Sequence, residues 1–259
     1  MKKRIAELLQ YRELLLALVG RHLSMRYRGS ALGFLWSFLN PLLLMLVYTL
    51  VFRFYIRFDQ VENYSVFLFC GLLPWIWVTS SLHEGASSIV ASGHLITKSL
   101  FPAQLLPSVA VITSMVHFLL SLPILFAFMF VSGMSLHYTM LLVPFVIFLQ
   151  FVFCFGLALA LSAVNVQYRD VQHILGNVLT FLFFLCPILY PIESVPEAYR
   201  FTLELNPFSL FTMFYHDLIL DGVVPPLHQI VLLAGFSTLS FVMGHMIFEY
   251  NRESFAELL

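Results

Sequence analysis

The sequence predicts an all-α integral membrane protein with six membrane-spanning helices. Of its 259 residues, 60% are hydrophobic and only 10% are charged, and the mean hydropathy is +0.91. Soluble globular chains carry about 25% charged residues, so this chain has too few to cover a water-facing surface. Its apolar residues also form stretches of about 20, the length at which a helix crosses a bilayer core of about 30 Å.

Six stretches of this kind are nearly free of fixed charge, and they predict one transmembrane domain that covers residues 1–259. The predicted spans are residues 34–52, 65–82, 105–131, 140–163, 173–190 and 228–248. The predicted parts of the domain are a cytoplasmic helix at 1–28, spans one to five at 34–190, an external segment at 191–227, span six at 228–248 and a cytoplasmic tail at 249–259.

The Lys and Arg residues predict the orientation, because basic residues are retained in the cytoplasm. Three of them, Arg53, Arg57 and Arg200, fall on one side of the predicted spans, whereas ten lie at the termini or in the loops 83–104 and 164–172. Both termini are therefore expected in the cytoplasm, as an even number of spans requires. The ten are Lys2, Lys3, Arg4, Arg12, Arg21, Arg26, Arg28, Lys98, Arg169 and Arg252.

Residues 1–28 predict an amphipathic helix that lies in the cytoplasmic interface. Apolar side chains between Ile5 and Leu23 cluster on one side of a helical wheel, and charged side chains cluster on the other, with Arg12 as the exception. The basic residues are expected to face anionic lipid. A cleaved signal peptide is disfavoured, since no small-residue cleavage site follows the short apolar core at 14–20.

The segment 191–227 predicts a lid or gate on the external face. Prolines bound it and divide it at Pro196 and Pro207, and each of these two can begin a short helix. The thirteen mostly apolar residues at 208–220 are too few to span a bilayer. A re-entrant or interfacial helix fits them better.

The chain lacks the motifs of an energy source or of a catalyst. Lys98-Ser99 is not preceded by the glycines of a phosphate-binding loop, so ATP hydrolysis is assigned to another chain. The spans hold essentially no Asp, Glu or Lys, and His117 and His245 are expected in interhelical hydrogen bonds rather than in a proton relay. The sequence has no HExxH, no paired intramembrane aspartates and no GxSxG, the motifs that would indicate an intramembrane enzyme. Its three isolated cysteines indicate neither a disulfide framework nor a metal site. Transport driven by a separate chain is the remaining hypothesis.

The inner loop from His83 to Leu105 is a candidate docking element for such a motor. It is polar, with apolar residues interspersed, and it is long enough for a short helix. The alternative is a solvated connector. The pair Arg169 and Asp170 is a second contact or merely a topology anchor. The candidate coupling residues are Glu84, Ser88, His94, Lys98, Arg169 and Asp170.

Three motifs resemble those of the type-2 ABC transporter permeases that export polysaccharides. The most specific is the sequence RYRGSALGFLWSFLNPL at residues 26–42, which enters the first span from the amphipathic helix. Residues 165–171 and 205–208 are similar to further motifs of the family. The resemblance covers essentially the whole chain, including its six-span layout.

The resemblance implies a bacterial inner-membrane subunit that homodimerises around a central channel and binds two P-loop ATPase chains. ATP and Mg would then sit on the ATPases, with no cofactor, metal or nucleic acid on this chain. The implied substrate is a lipid-linked glycan, and the first motif looks closer to O-antigen and teichoic acid exporters than to the capsule branch. Two alternatives are a permease of the same architecture that exports a small drug or lipid, and a non-ABC carrier. The external segment would form gate helices, with candidates Asn206, Pro207, Phe208, Phe211 and Tyr215.

Aromatic side chains are the candidates for the channel lining, because sugar rings stack their apolar CH faces on aromatic rings. The alternative is that they face lipid or the interface, and Trp75 and Trp77 are expected in packing. Arg53 and Arg57 could meet a phosphate or an acidic sugar; equally, they pair with Asp59 and Glu62 or reach headgroups. The candidates are Trp36, Tyr48, Phe52, Tyr55, Phe181, Phe184, Arg53 and Arg57.

Overall fold

The computed structural model describes residues 11–26, 28–57, 60–98 and 101–259, and these residues are organised as helices. Five helices are long and apolar enough to cross a membrane. They are α2 (Gly33–Tyr55), α3 (Tyr64–Ala91), α5 (Leu105–Val131), α6 (Tyr138–Gln167) and α10 (Leu227–Ser254). The shorter helices are α1 (Arg12–Arg26), α4 (Gly93–Lys98), α7 (Val171–Phe184), α8 (Glu197–Glu204), α9 (Pro207–His216) and α11 (Phe255–Leu258).

The all-α class is confirmed, and five of the six predicted spans fall within the five long helices. The fifth predicted span, 173–190, is different, because its helix α7 ends at Phe184 after 14 residues. That length is roughly 21 Å, short of a bilayer core. Pro187 and Pro191 follow at a spacing of four, and each removes a helical N–H donor, which explains why the helix does not continue to residue 190.

Helix α3 is the centre of the bundle, and it packs against α2, α5, α6, α7 and α9. In the most apolar stretch of α3, 78% of the residues are buried inside the bundle, against 11% in α2 and 17% in α10. Helices α2 and α10 therefore lie at the periphery. Following the predicted orientation, we call the end of the bundle at Ala91, Leu105 and Gln167 the inner end. The opposite end, at Tyr64 and Val131, is the outer end.

Helices α6 and α10 pack with their backbones in direct contact. Gly156 of α6 faces Gly244 of α10, and the Ser240 hydroxyl donates a 2.8 Å hydrogen bond to the carbonyl oxygen of Phe153. The small residues of α6 therefore serve packing within the chain. Small residues allow this close approach where lipid supplies no hydrophobic drive for helix association.

The glycines at the start of the first span have another role. Gly29 and Gly33 share the spacing of a close-packing motif, but both have positive φ (+83° and +48°), and a Cβ added at either would have no atom of the described residues within 4 Å outside its chain neighbours. They form the turn that leads from α1 into α2. Positive φ costs glycine little because it lacks a Cβ.

Helix α1 packs against α5, with Val19 buried and the His22 ring Nδ1 at 3.4 Å from the Thr113 hydroxyl. Residues 1–10 and Tyr27 of the predicted amphipathic helix lie outside the described residues, as do Asp59 and Ser99. At the other terminus, the predicted tail 249–259 continues α10 and ends in α11, which packs on the inner loop.

Candidate functional site

A groove of about 390 Å³ lies between α2, α3 and α7. Four aromatic side chains line it, and the Phe183 ring lies 5.6 Å from the Tyr48 ring and 5.7 Å from the Trp75 ring. Its polar lining consists of hydroxyl and imidazole groups, and no Asp, Glu, Lys or Arg side chain of the described residues contributes. The four aromatic residues, the hydroxyl and imidazole residues and the glycine of the lining are Tyr48, Trp75, Thr79, His83, Gly176, Thr180, Phe183 and Phe184.

This groove offers two kinds of contact to a passing ligand. The rings present flat apolar surfaces, and the hydroxyl and imidazole groups donate and accept hydrogen bonds. Many weak contacts of both kinds suit a neutral, hydroxyl-rich chain that must move. A tightly held charged ligand finds no partner here.

Of the six aromatic residues predicted for the channel, the structure places Tyr48 and Phe184 in the groove. Phe52 stacks on Tyr64 with ring centroids 6.3 Å apart. Trp36 donates its indole N–H to the Ser30 hydroxyl at 3.0 Å and lines a separate cavity. The other two, Tyr55 and Phe181, are 72% and 69% exposed and lie outside the groove.

The sequence reasoning missed Trp75, Phe183 and the polar groups of the groove. Trp75 is 8% exposed, so it packs as expected and lines the groove as well. Thr79 and His83 follow it on the same face of α3 at a spacing of four, a pattern that could have indicated a shared polar stripe.

The two arginines at the outer end of α2 do not line the groove. Arg53 lies in the π-helical turn Leu50–Tyr55 that ends α2, and Arg57 follows with a left-handed φ of +58°. The predicted partner Asp59 lies outside the described residues. Their role toward phosphate or acidic sugars stays a prediction.

The inner loop forms a surface together with α1. Helix α3 runs nine residues past its predicted end at 82, to Ala91, and Ser92 then separates it from α4. Glu84 lies 4.0 Å from the His22 ring, and both belong to a cavity of about 350 Å³ that Ser88 and His94 also line. Three predicted coupling residues therefore meet here.

The remaining coupling candidates lie elsewhere. Lys98 ends α4, and its side chain is outside the described part of the chain. Arg169 and Asp170 are exposed in the turn between α6 and α7 and do not line this cavity. The six coupling candidates are therefore not all brought together in this cavity.

The C-terminal helix α11 supports the inner loop. The buried Phe255 ring packs edge-on against Phe248 at 5.4 Å, within an apolar cluster that includes Ile89 and Leu106. Leu259 lies beside Gly93 at the start of α4. The position of α4 therefore depends on the last residues of the chain.

Helix α9 crosses the outer half of the bundle. Its N-cap Asn206 accepts a hydrogen bond from the Phe208 backbone N–H at 3.1 Å, and Phe208 packs edge-on against Trp75 at 6.2 Å. Trp75 lies eleven residues after Tyr64, roughly 16 Å along α3 and about half the depth of a bilayer core. At its other end, His216 lies beside Phe67, near the outer start of α3.

All five predicted gate residues belong to this segment, and most of α9 is buried. Every side chain from Ser209 to His216 is buried. Phe211 packs on Phe153 at 5.4 Å, and the Cys70 thiol donates to the Tyr215 carbonyl oxygen at 3.6 Å. Helix α9 is thus an integral part of the core, and any gating motion must move it within that core.

An acidic cavity of about 450 Å³ lies at the outer end, beside the end of α9. Burial, and then the nearby carboxylates of Asp221 and Glu193, raise the pKa of Asp217 to about 7. Burial also lowers the pKa of His216 to about 4, although its ring Nε2–H donates to the Phe67 carbonyl oxygen at 3.1 Å. Among the residues that the structure describes, no three His, Cys, Asp or Glu side chains are placed to hold a metal ion.

These two groups predict opposite effects of pH on stability. Asp217 binds its proton more tightly in the folded state, so its contribution is lost as the pH rises from 3.8 through about 7. His216 is held neutral, so its contribution is lost as the pH falls from 6.5 through about 4. Relative to the unmodified chain, we expect His216→Gln to gain more stability on acidification from pH 7 to 4, and Asp217→Asn to gain less. Thermal unfolding of the purified chain across this range checks both, and equal slopes in the two variants would contradict the assignment.

The comparisons with known proteins agree with this architecture. Residues 13–219 match the protein family described as ABC-2 type transporter. The chain is 42% identical to the O-antigen export system permease protein RfbA of Myxococcus xanthus, over 98% of each chain. It is 32% identical to the protein of the same name from Klebsiella pneumoniae, over 95% of each chain.

A more distant relative is the polysialic acid transport protein KpsM of Escherichia coli. It is 22% identical, over 92% of this chain and 93% of that protein. The order of these identities agrees with the first-span motif, which predicts a closer relation to O-antigen exporters than to the capsule branch.

Proposed function

Because the chain belongs to the ABC-2 type transporter membrane family, we propose that it is the membrane subunit of an ATP-driven exporter of a lipid-linked polysaccharide of the O-antigen type. The observation that carries this proposal is the near full-length similarity to two proteins named as O-antigen export permeases. The uncharged aromatic groove between α2, α3 and α7 supports it, because its lining suits a neutral glycan that slides.

Six crossings complete the proposed topology, with the fifth made partly of non-helical chain. Residues 185–190 extend α7 toward the outer end, where the Tyr64 hydroxyl donates a 2.9 Å hydrogen bond to the Leu189 carbonyl oxygen. Non-helical backbone is tolerated at membrane depth only where protein or a water-filled cavity surrounds it, and residues 186–189 are buried. Both termini then lie on the cytoplasmic side of the inner membrane.

A second copy of the chain is proposed to close the groove into a channel. Helix α2 forms one wall of the groove, yet little of its span is buried within one subunit. Large exposed apolar side chains on α2 and α7, such as Leu46 and Phe181, are available for lipid or for a partner. Helix α9, whose N-terminus reaches the depth of Trp75, would then gate the external side.

The ATPase partners are proposed to dock on the inner surface of α1, α3 and α4, around Glu84 and His94. Two copies of a P-loop ATPase would hold ATP and Mg, and this chain would be the non-catalytic permease. Closure of the ATPases would push on α4 and tilt the helices that it adjoins.

Deletion of the gene tests the proposal in cells. We expect long surface glycan to be lost and lipid-linked glycan to accumulate inside, which separates failed export from failed synthesis. Unchanged surface glycan would contradict the proposal and would favour a small drug or lipid as substrate. Re-expression of the intact chain is the control.

The C-terminal helix gives a sharper test of the coupling surface. Replacing the buried Phe255 by alanine removes roughly 3 kcal/mol of packing, more than a four-residue helix gains by itself, so α11 should detach from α4. We expect the assembled complex to keep its ATPase but to lose the response of ATP turnover to glycan. Tyr250→Ala, at an 88% exposed position, is the matched control. A normal response in F255A would show that α4 does not need this support.

A further inference from the structure

A further cavity of about 350 Å³, distinct from the inner cavity around Glu84, lies between α2, α3 and α5. It extends from Ser30 and Trp36 near the inner end to Trp77 and His117 near the middle of the bundle. The groove between α2, α3 and α7 is a separate space, and Ile76 is the one residue among those described by the structure that lines both. The cavity is thus formed by helices of a single chain.

The lining of this cavity combines apolar surface with several polar side chains, and among the residues that the structure describes it contains no Asp, Glu, Lys or Arg. Trp36 and the stacked pair Trp77 and Phe118, with ring centroids 5.1 Å apart, contribute aromatic surface. The polar lining residues come from three helices. They are Ser37, Asn40, Ser80, Ser114, His117 and Ser121, and Ser30 joins them from the turn before α2.

Two buried polar groups of this lining lack a partner. The Trp77 indole N–H and the Ser114 hydroxyl belong to residues that are 1% and 2% exposed, and neither has a hydrogen-bond partner among the described residues. Leaving such groups unsatisfied is destabilising. Native proteins therefore pair them, with protein, water or a ligand.

The volume and the lining together indicate the ligand class. The cavity matches the small end of the range for ligand sites, about 300–1,000 Å³. A sugar ring offers apolar CH faces to aromatic rings and hydroxyls to serine, asparagine and indole groups. A phosphate or a carboxylate would be buried here without a counter-charge, which is costly.

We propose that this cavity binds one neutral sugar ring of a membrane glycolipid. The inference rests on the proposed function insofar as it takes that glycolipid to be the exported one. The cavity then holds the sugar next to the lipid carrier at the inner end, while the groove conducts the rest of the glycan. Each subunit has its own such site.

Photolabelling of the full chain in nanodiscs of phosphatidylethanolamine and phosphatidylglycerol tests this site. The probe is an alkyl β-glucoside with a diazirine next to the sugar, and the comparison probe carries a phosphate in place of glucose. We expect saturable glucoside labelling of residues 73–80 and 114–121. Ser114→Leu and Ser80→Leu fill the cavity from different helices and should each reduce that labelling roughly tenfold, equivalent to about 1.4 kcal/mol of binding.

The matched control is Thr238→Leu, a substitution of the same kind on the lipid-exposed side of α10, which should label like the unmodified chain. If S114L fails to fold, the labelling of S80L alone tests whether the glucoside occupies the cavity. Equal labelling by the phosphate probe, labelling confined to the groove, or labelling unchanged in the variants would each overturn the inference. Normal cavity labelling in a chain whose deletion leaves surface glycan intact would instead count against the proposed function.

Discussion

Gly244→Ala is expected to destabilise the subunit severely, whereas Gly235→Ala on the same helix is expected to be tolerated. A Cβ at Gly244 would overlap sterically with the Gly156 backbone, because it would lie 2.9 Å from the Gly156 Cα and closer still to the Gly156 carbonyl group. Backbone cannot rotate away as a side chain can, so we expect a cost at or above the upper end of the usual 1–3 kcal/mol for overpacking. A Cβ added at Gly235 would have no atom of the described residues within 4 Å beyond its chain neighbours and its own helix backbone, and alanine gains about 0.5–1 kcal/mol of helix propensity.

The measurement is the fraction of each variant that is extracted from membranes as a monodisperse species, together with its thermal unfolding midpoint. The two variants carry the same chemical change on one helix, so a general effect of adding a methyl group would affect both equally. Equal midpoints for G244A and G235A would show that α6 and α10 do not pack through these glycines.

A bulky side chain in the groove is expected to stop export without preventing folding. Gly176 lines the groove, and a Cβ there would make only an ordinary 3.7 Å contact with the His83 ring. Gly176→Trp therefore places an indole in the groove, beside the His83 ring. We expect export of long glycan to fall by roughly tenfold or more, since the width of a pore limits what passes.

Gly235→Trp, on the lipid-exposed side of α10, is the control for the size of the new side chain. Surface glycan in a deletion strain that expresses each variant reports export, and co-purification of the ATPase reports assembly. Wild-type export by G176W with normal assembly would mean that the glycan does not use this groove.

The helical class and the five long helices could be predicted because each depends on a local run of apolar residues. A run of about 20 uncharged apolar residues predicts a membrane span whichever helices that span packs against. The end of α7 was mispredicted for a related reason, since apolar composition continues to residue 190 although Pro187 and Pro191 stop the helix. Apolar composition indicates which residues lie in the bilayer, whereas proline positions indicate where the helix itself ends.

The grouping of the candidate site residues could not be predicted from the sequence. Trp36 and Tyr48 lie on one helix, yet Trp36 lines the cavity beside α5 and Tyr48 lines the groove beside α7. Which neighbour a residue faces depends on how α2 crosses α3, and no local pattern specifies that crossing. Burial of α9 depended in the same way on tertiary packing against α3 and α6.

The central claim is that this chain is the glycan-conducting subunit of an ATP-driven exporter. The most direct measurement is purification of the tagged chain from its native membrane, with identification of a bound P-loop ATPase and assay of its ATP turnover with and without lipid-linked glycan. We predict a bound ATPase whose turnover changes when the glycan is added. Absence of an ATPase, or turnover indifferent to the glycan, would contradict the claim.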